Sequence, residues 1–545
     1  MKDALSIGDY LIQQLHRRSV RHVFGIPGDY VLGFYDQLLA SKLQIVNTCD
    51  EQGAGFAADA YARVRGLGVV CVTYCVGGLK VANTTAEAFA EKSPVVVISG
   101  APGMKEREKN PLLHHKVREF DTQKKVFEQL TVASTVLSDP QTAFGEIDRV
   151  LHAAARYKRP VYIELPRDLV SHPGIVPHQP ADLHEPSDAP SLRAAVEEAA
   201  AMIRAARNPV ILADVEVHRF GLLEELVQLV DKTGIPVAAT LLGKSVIGEQ
   251  HPLYLGVYEG AMGREDVRRY VESSDCVIML GAFMTDINLG IYTARLDPAR
   301  SISATSEKLS VRYHNYENVR FDDFVAGLIR SKWRRRSPRN IPRPPGMVRL
   351  PAARGRGRIT IKRLFQRLNA FLSDQTVVVA DVGDALFGAA DLLIHHRTEF
   401  LGPAYYTSMG FGIPAAIGVQ LANPERRPLV LVGDGAFQMT GMELATAVRY
   451  RLNPIVVVLN NHGYGTERQI HDGPYNDVAT WHYHRVPDVL GAGRSFVVET
   501  DRDLEAALAA ADRHTASFCL LEIMLDPLDR SPALLRLGKR LAAKV

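Results

Sequence analysis

The chain has 545 residues, of which 46% are hydrophobic and 23% charged, with a formal net charge of +3. These are the proportions of globular domains, and no apolar run approaches the ~20 residues that a membrane helix needs. The five cysteines (Cys49, Cys71, Cys75, Cys276, Cys519) are odd in number and scattered, which argues against a disulfide framework or a zinc site and for a reducing cytoplasm.

Met1–Leu15 reads as an amphipathic helix rather than a signal sequence. Apolar runs follow at His22–Ile26, Gln44–Val46, Val69–Val72, Val95–Ser99 and Val161–Leu165, with amphipathic segments between most of them. That alternation predicts a doubly wound parallel sheet over residues 1–182. A second α/β block, residues 190–330, has runs at Val210–Leu212, Val237–Ala239 and Val277–Leu280. Between Arg330 and Arg358 lie eleven Lys or Arg and no acid, leaving 53 basic against 61 acidic residues elsewhere. The same stretch holds Pro338, Pro342, Pro344, Pro345 and Pro351, so residues 331–357 read as a basic, solvated linker rather than a nucleic-acid surface. The third block, residues 358–545, has runs at Val377–Val379, Leu429–Val432, Ile455–Leu459 and Cys519–Ile523, and ends in a helix over Ala533–Val545. The expected fold class is α/β, three doubly wound domains with parallel sheets.

The most informative stretch is Leu429 to Glu467. Its first apolar run ends in Gly433-Asp434-Gly435-Ala436; its second runs into Asn460-Asn461-His462-Gly463. Thr440-Gly441-Met442-Glu443 has capping-box spacing, which predicts a helix starting there. The unit is then a parallel crossover, and both turns emerge at the carboxyl edge of the sheet, where ligands bind. Asp434 offers a carboxylate, the pair Asn460 and Asn461 a carboxamide, and Gly463 frees a main-chain carbonyl. These hard oxygen donors are too few to cage calcium but suit Mg2+, which takes its other ligands from phosphate and water.

This coupled pair of turns resembles the magnesium–diphosphate motif of thiamine diphosphate enzymes. Further residues sharpen the likeness: Phe24-Gly25-Ile26-Pro27-Gly28-Asp29, Asp50-Glu51 opening an alanine-rich helix, Ala90-Glu91-Lys92-Ser93-Pro94, His114-His115, and Glu467 followed by Ile470 to Asp477. Together they resemble the thiamine diphosphate-dependent 2-keto acid decarboxylases, the family of pyruvate, indolepyruvate, phenylpyruvate and branched-chain keto acid decarboxylases, over essentially the whole chain.

The resemblance implies a pyrimidine-binding first domain, a central domain and a diphosphate-binding third domain. It implies that the thiazolium ring is the electron sink for decarboxylation, giving an aldehyde and carbon dioxide. Glu51 takes the place of the glutamate that activates the pyrimidine, and Met409 that of the bulky side chain beneath the bent cofactor. Gly383-Asp384-Ala385, Thr407 and Gly433 to Ala436 join the cofactor contacts. Asp29, His114, His115 and Glu467 match the family's acid–base set. Ile287, Leu386, Thr466 and Ile470 fall at substrate-pocket positions. Three of these, Ile287, Leu386 and Thr466, are smaller or differently shaped than in pyruvate-specific relatives, which favours large keto acids over pyruvate. The family also implies a homodimer with shared active sites, paired into a tetramer. Gly410 to Ala415 spells G-x-G-x-x-A, but no strand-like run precedes it, so a nicotinamide site is rejected. A carboligase such as acetolactate synthase is the nearest rival; such enzymes generally lack the His114-His115 pair and Glu467.

Overall fold

A computed structural model of the chain describes residues 5–175, 185–344, 357–395 and 399–542. The chain divides into two compact units. One comprises Met1–His184, Ile413–Glu425 and Thr440–Leu452; the other comprises Glu185–Gly412, Arg426–Met439 and Asn453–Val545.

The first unit is built on six strands: β1 (His22–Gly25), β2 (Gln44–Asn47), β3 (Gly68–Val72), β4 (Val95–Ala101), β5 (Ala133–Val136) and β6 (Val161–Pro166). They pair in parallel in the order β2-β1-β3-β4-β6-β5. The middle strands β3, β4 and β6 are buried along their whole length. Their runs of valine and isoleucine meet helices on both faces, as parallel strands require.

The second unit holds two sheets. Its first contains β7 (Pro209–Ala213), β8 (Val237–Ala239), β9 (Tyr254–Val257), β10 (Cys276–Leu280), β11 (Ser301–Ala304), β12 (Leu309–Val311) and β13 (His314–Tyr316), in the order β13-β12-β11-β10-β7-β8-β9. The core of this sheet is parallel, as expected, and β12 and β13 add an antiparallel meander on the β11 edge. These three-residue strands carry polar, partly exposed residues such as His314 and Asn315, so no apolar run marks them. The second sheet is wholly parallel: β14 (Thr376–Ala380), β15 (Phe400–Leu401), β16 (Arg427–Gly433), β17 (Ile455–Asn460), β18 (Arg494–Val498) and β19 (Cys519–Met524), in the order β15-β14-β16-β17-β19-β18.

The two sheets of this unit share one apolar core, in which Val215, Leu241, Val257 and Met262 pack with Leu386, Ile394 and Leu525. A buried ion pair lies at the same seam. Lys244 Nζ donates to both Glu249 oxygens at 2.8 and 2.7 Å and to the Leu392 carbonyl, while Ile394 N–H donates to Glu249.

The basic stretch is only half described, since residues 345–356 lie outside the described residues. Its first residues are tied to the domain that precedes it. Trp333 Nε1, Arg335 Nε and Arg336 Nη2 donate to the carbonyls of Leu328, Asp231 and Ile203, which fastens the segment to the β7–β13 domain. No helix among the described residues is long and apolar enough to cross a membrane.

Candidate active site

Three strand exits of the β14–β19 sheet converge on one cavity of about 570 Å3. Its wall includes Gly383, Asp384 and Ala385 after β14, Gly433 to Ala436 at the end of β16, and Asn461 and Gly463 after β17. Met409, Thr466, Glu467 and Ile470 complete the wall among the residues expected at a site.

The two turns flagged by the sequence are hydrogen-bonded to each other. Asp434 is 2% exposed. Its Oδ1 accepts from Gly435 N–H at 2.8 Å and its Oδ2 from Gly463 N–H at 3.1 Å. Burial raises its pKa, and the N–H groups of Gly435 and Gly463 work against that rise. Gly463 is closely approached: a Cβ would stand 2.4 Å from Arg468 Nη2 and 2.5 Å from the Asn476 carbonyl oxygen, so any side chain forces a shift. The two adjacent asparagines do different work. Asn460 is buried and donates to Glu522 at 2.7 Å, whereas Asn461 borders the cavity.

The helix expected from Thr440 instead begins at Asp434 and runs to Thr440, and a short 3-10 turn, Gly441–Glu443, precedes the helix Leu444–Arg449. Glu443 is no capping-box partner. Its carboxylate accepts the N–H groups of Cys49 and Asp50 and the Thr446 hydroxyl.

On the β14 side, Gly383 adopts φ +89°, a left-handed conformation that favours glycine. Asp384 opens the helix Asp384–Ala389; its Oδ2 accepts from Ser531 N–H at 2.8 Å and burial lifts its pKa to about 6. Asp384 Oδ1 and Thr466 Oγ1 are buried without a hydrogen-bond partner among the described residues, and both residues border the cavity. Orphaned buried polar atoms at a cavity wall fit a polar ligand bound there. Met409 is held by a residue that the sequence did not single out. Asp381, fully buried just past β14, accepts from Val382, Gly410 and Gly412 N–H at 2.8, 3.1 and 2.7 Å. Its only sequence signal is an acid directly after a strand. Thr407 lies in the same loop at φ +57° but does not border the cavity.

Two of the expected pocket residues lie away from this cavity. Leu386 is 0% exposed and points into the shared core, with Cδ1 packed toward Gly402, and Ile287 packs against that core. Neither borders the cavity, whereas Thr466 and Ile470 do, from the helix Gly465–Ile470. A leucine following Gly383-Asp384-Ala385 on a short helix turns its side chain away from the strand exit.

In the first unit, Asp29, His114 and His115 form a cluster in which one oxygen of Asp29 and one ring nitrogen of each histidine lie within 4.8 Å of one another. His114 Nε2 stands 2.7 Å from Asp29 Oδ2, and Tyr30 stacks on the His114 ring at 4.8 Å. His115 sits at φ +66° with its Nδ1 buried and unpartnered among the described residues. Arg167 lies 3.7 Å from Asp29. Glu51 opens the helix Glu51–Arg65, capped by Asp50, which accepts from Gln52 N–H. Lys80 Nζ lies 2.8 Å from Glu51 Oε2, a neighbour that the sequence reading missed.

The donor set suits a magnesium diphosphate. A buried carboxylate, a carboxamide and a carbonyl freed by glycine share one wall with orphaned polar atoms and with Met409. Three family models match the chain in order: the N-terminal TPP binding domain of thiamine pyrophosphate enzymes at residues 5–126, their central domain at 196–319 and their C-terminal TPP binding domain at 381–523. The fold and site thus define a thiamine diphosphate enzyme. Among similar proteins are an alpha-keto-acid decarboxylase of Mycolicibacterium paratuberculosis, 36% identical over 535 residues, and an indole-3-pyruvate decarboxylase of Azospirillum brasilense, 36% identical over 530. Each alignment covers 96% of this chain and 95% of the relative. The chain belongs to the thiamine diphosphate-dependent 2-keto acid decarboxylase family, and is a carboxy-lyase.

Proposed function

We propose that the enzyme converts large 2-keto acids, with aromatic, indolyl or long aliphatic tails, to the aldehyde and carbon dioxide, and that its metal is Mg2+. The observation that carries the reading is the hydrogen bond from Gly463 N–H to Asp434 Oδ2, which locks the two donor turns together on a cavity that also holds Met409 and Glu467.

When bound, thiamine diphosphate supplies a thiazolium ring that takes up the electron pair left by departing carbon dioxide. Asp434, Asn461 and the Gly463 carbonyl would hold the metal and diphosphate. Glu51 would accept a hydrogen bond from the pyrimidine, and Met409, pinned through Asp381, would support the ring. Glu467 would lie beside the substrate carboxylate and help expel it. The Asp29–His114 pair and His115 would deliver the proton that replaces carbon dioxide and receive the one released with the aldehyde, as a titrating group rather than as separate residues. Size selection rests on Thr466 and Ile470, the two pocket positions on the cavity wall. Each methylene buried there contributes ~0.8 kcal/mol. The Azospirillum relative named for indole-3-pyruvate supports a large substrate. The protein is proposed to work in the cytoplasm as a homodimer with shared active sites, paired into a tetramer; full activity in a sedimenting monomer would refute that assembly.

A coupled aldehyde assay with added thiamine diphosphate and Mg2+ tests the reading. Glu467→Gln should bind cofactor normally yet turn over slowly, and Glu51→Gln should stall cofactor activation. Across a series of keto acids, kcat/KM should rise toward the aromatic and indolyl tails. A maximum at pyruvate overturns the substrate assignment, and carboligation without aldehyde release overturns the reaction.

A further inference from the structure

The start of the Glu51 helix carries a three-membered charge cluster. Asp50 divides its carboxylate: Oδ1 caps the helix by accepting from Gln52 N–H at 2.7 Å, and Oδ2 meets the ammonium of Lys80. The same ammonium lies 2.8 Å from Glu51 Oε2. Lys80 sits on the 3-10 turn Leu79–Val81, with its side chain 49% exposed, while the Glu51 side chain is 13% exposed. Lys80 therefore reaches in from solvent to a more buried carboxylate. The arrangement is anchored from behind, because Glu443 accepts the N–H groups of Cys49 and Asp50. Asp50 first and then Glu51 raise the Lys80 pKa, which keeps it an ammonium at neutral pH.

A carboxylate already engaged by an ammonium is a poorer acceptor for an arriving ligand. We propose that Lys80 is a positioning residue that guards Glu51: it holds the carboxylate before the cofactor arrives, and withdraws onto Asp50 when the aminopyrimidine takes its place. This rests on the role proposed for Glu51 above. Asp50 is what makes the exchange possible, since it retains the ammonium after Glu51 is released. A contact present in the free protein and lost on binding lowers affinity by its own strength, because a ligand gains only what differs between the two states. Partly exposed ion pairs are weak, so the effect is a few-fold rather than orders of magnitude.

The test is calorimetric titration of the full chain with thiamine diphosphate in saturating Mg2+. Lys80→Met should bind about three- to fivefold more tightly than wild type. Asp50→Asn should bind more weakly by a similar factor, because Lys80 loses its second anchor; asparagine remains a good N-cap, so the helix start survives. The double variant should match Lys80→Met alone, as expected if Asp50 acts through Lys80. A merely structural cluster would weaken all three variants together, and that result overturns the proposal, as does weaker binding by Lys80→Met. Glu51→Gln in the Lys80→Met background, where no ammonium engages the carboxylate, separates this failure from that of the underlying reading: thiamine diphosphate affinity equal to that of Lys80→Met alone refutes the Glu51 role itself, and with it the guard.

Discussion

Gly463→Ala probes the joint between the two donor turns. The added methyl would stand 2.4 Å from Arg468 Nη2 and 2.5 Å from the Asn476 carbonyl. Neither neighbour yields freely. Arg468 Nη2 is bonded to the His462 carbonyl at 3.0 Å and to Asp477 at 2.6 Å. The Asn476 oxygen is main chain and accepts from Tyr464 N–H at 2.9 Å, in the segment where Gly463 and Asp477 form an antiparallel bridge. The turn must therefore shift, carrying with it the N–H that holds Asp434 and the carbonyl proposed as a metal ligand. Overpacking of this kind costs about 1–3 kcal/mol. If the strain falls on the bound geometry, magnesium and cofactor affinity should drop by roughly five- to 150-fold. Titration of metal-stripped protein with Mg2+ at fixed thiamine diphosphate measures it, with circular dichroism confirming the fold. Affinities within twofold of wild type in a folded variant would refute the claim that this turn is a donor.

Three further outcomes follow from buried groups and the cavity wall. Lys244→Met leaves Glu249, 1% exposed, without its counter-ion, and should cost about 3–5 kcal/mol in urea unfolding; Lys244→Met/Glu249→Gln should recover more than half of it. Glu259 is buried with its pKa lifted to about 7 by desolvation, against the opposing pull of Arg536. The folded state then holds a proton that the unfolded state has released, so this group's contribution is full below pH ~4.3 and is lost as pH rises toward 7, roughly 4 kcal/mol in all. Glu259→Gln should flatten that part of the curve of melting temperature against pH. Ile470→Ala should enlarge the cavity and shift kcat/KM toward indolyl over short aliphatic keto acids by roughly ten- to 100-fold, and an unchanged ratio would take Ile470 out of the pocket.

Much of the architecture was legible because a buried parallel strand leaves little choice of residue. β3, β4, β7, β10, β16, β17 and β19 all read as short valine-, isoleucine- and leucine-rich runs. The strands that escaped notice lie at sheet edges, as with β13 and β18, or are short, as with two-residue β15. There one face is wet or the run too brief for a pattern. That the Asp434 and Gly463 turns meet at one cavity was legible because glycine and acid at paired strand exits have a chemical reason to be there. Side-chain direction on a short helix was not. Leu386 and Ile470 are both apolar residues near a strand exit, yet one packs inward and the other borders the cavity. Asp381 escaped because a carboxylate satisfied by three main-chain N–H groups has no partner that spacing could reveal.

The error over Thr440 to Glu443 shows what local pattern leaves out. Threonine and glutamate three residues apart are what a helix start needs, but a buried carboxylate goes where unpaired N–H groups are. Residues 440–452 lie between the two donor turns in sequence, yet they belong to the compact unit that contains Glu51. There Glu443 receives the N–H groups of Cys49 and Asp50, and the Tyr450 hydroxyl receives that of Asn47. A Cβ on Gly53, on the Glu51 helix, would stand 2.1 Å from Glu443. These bonds reach back some four hundred residues to the last turn before Glu51, and they explain why a crossover helix needs a glutamate that its own first turn does not use. The segment between the Asp434 and Gly463 turns in sequence thus also forms the back wall of the turn that leads into the Glu51 helix. Its sequence answers to contacts far along the chain, which a pattern read over four residues cannot represent.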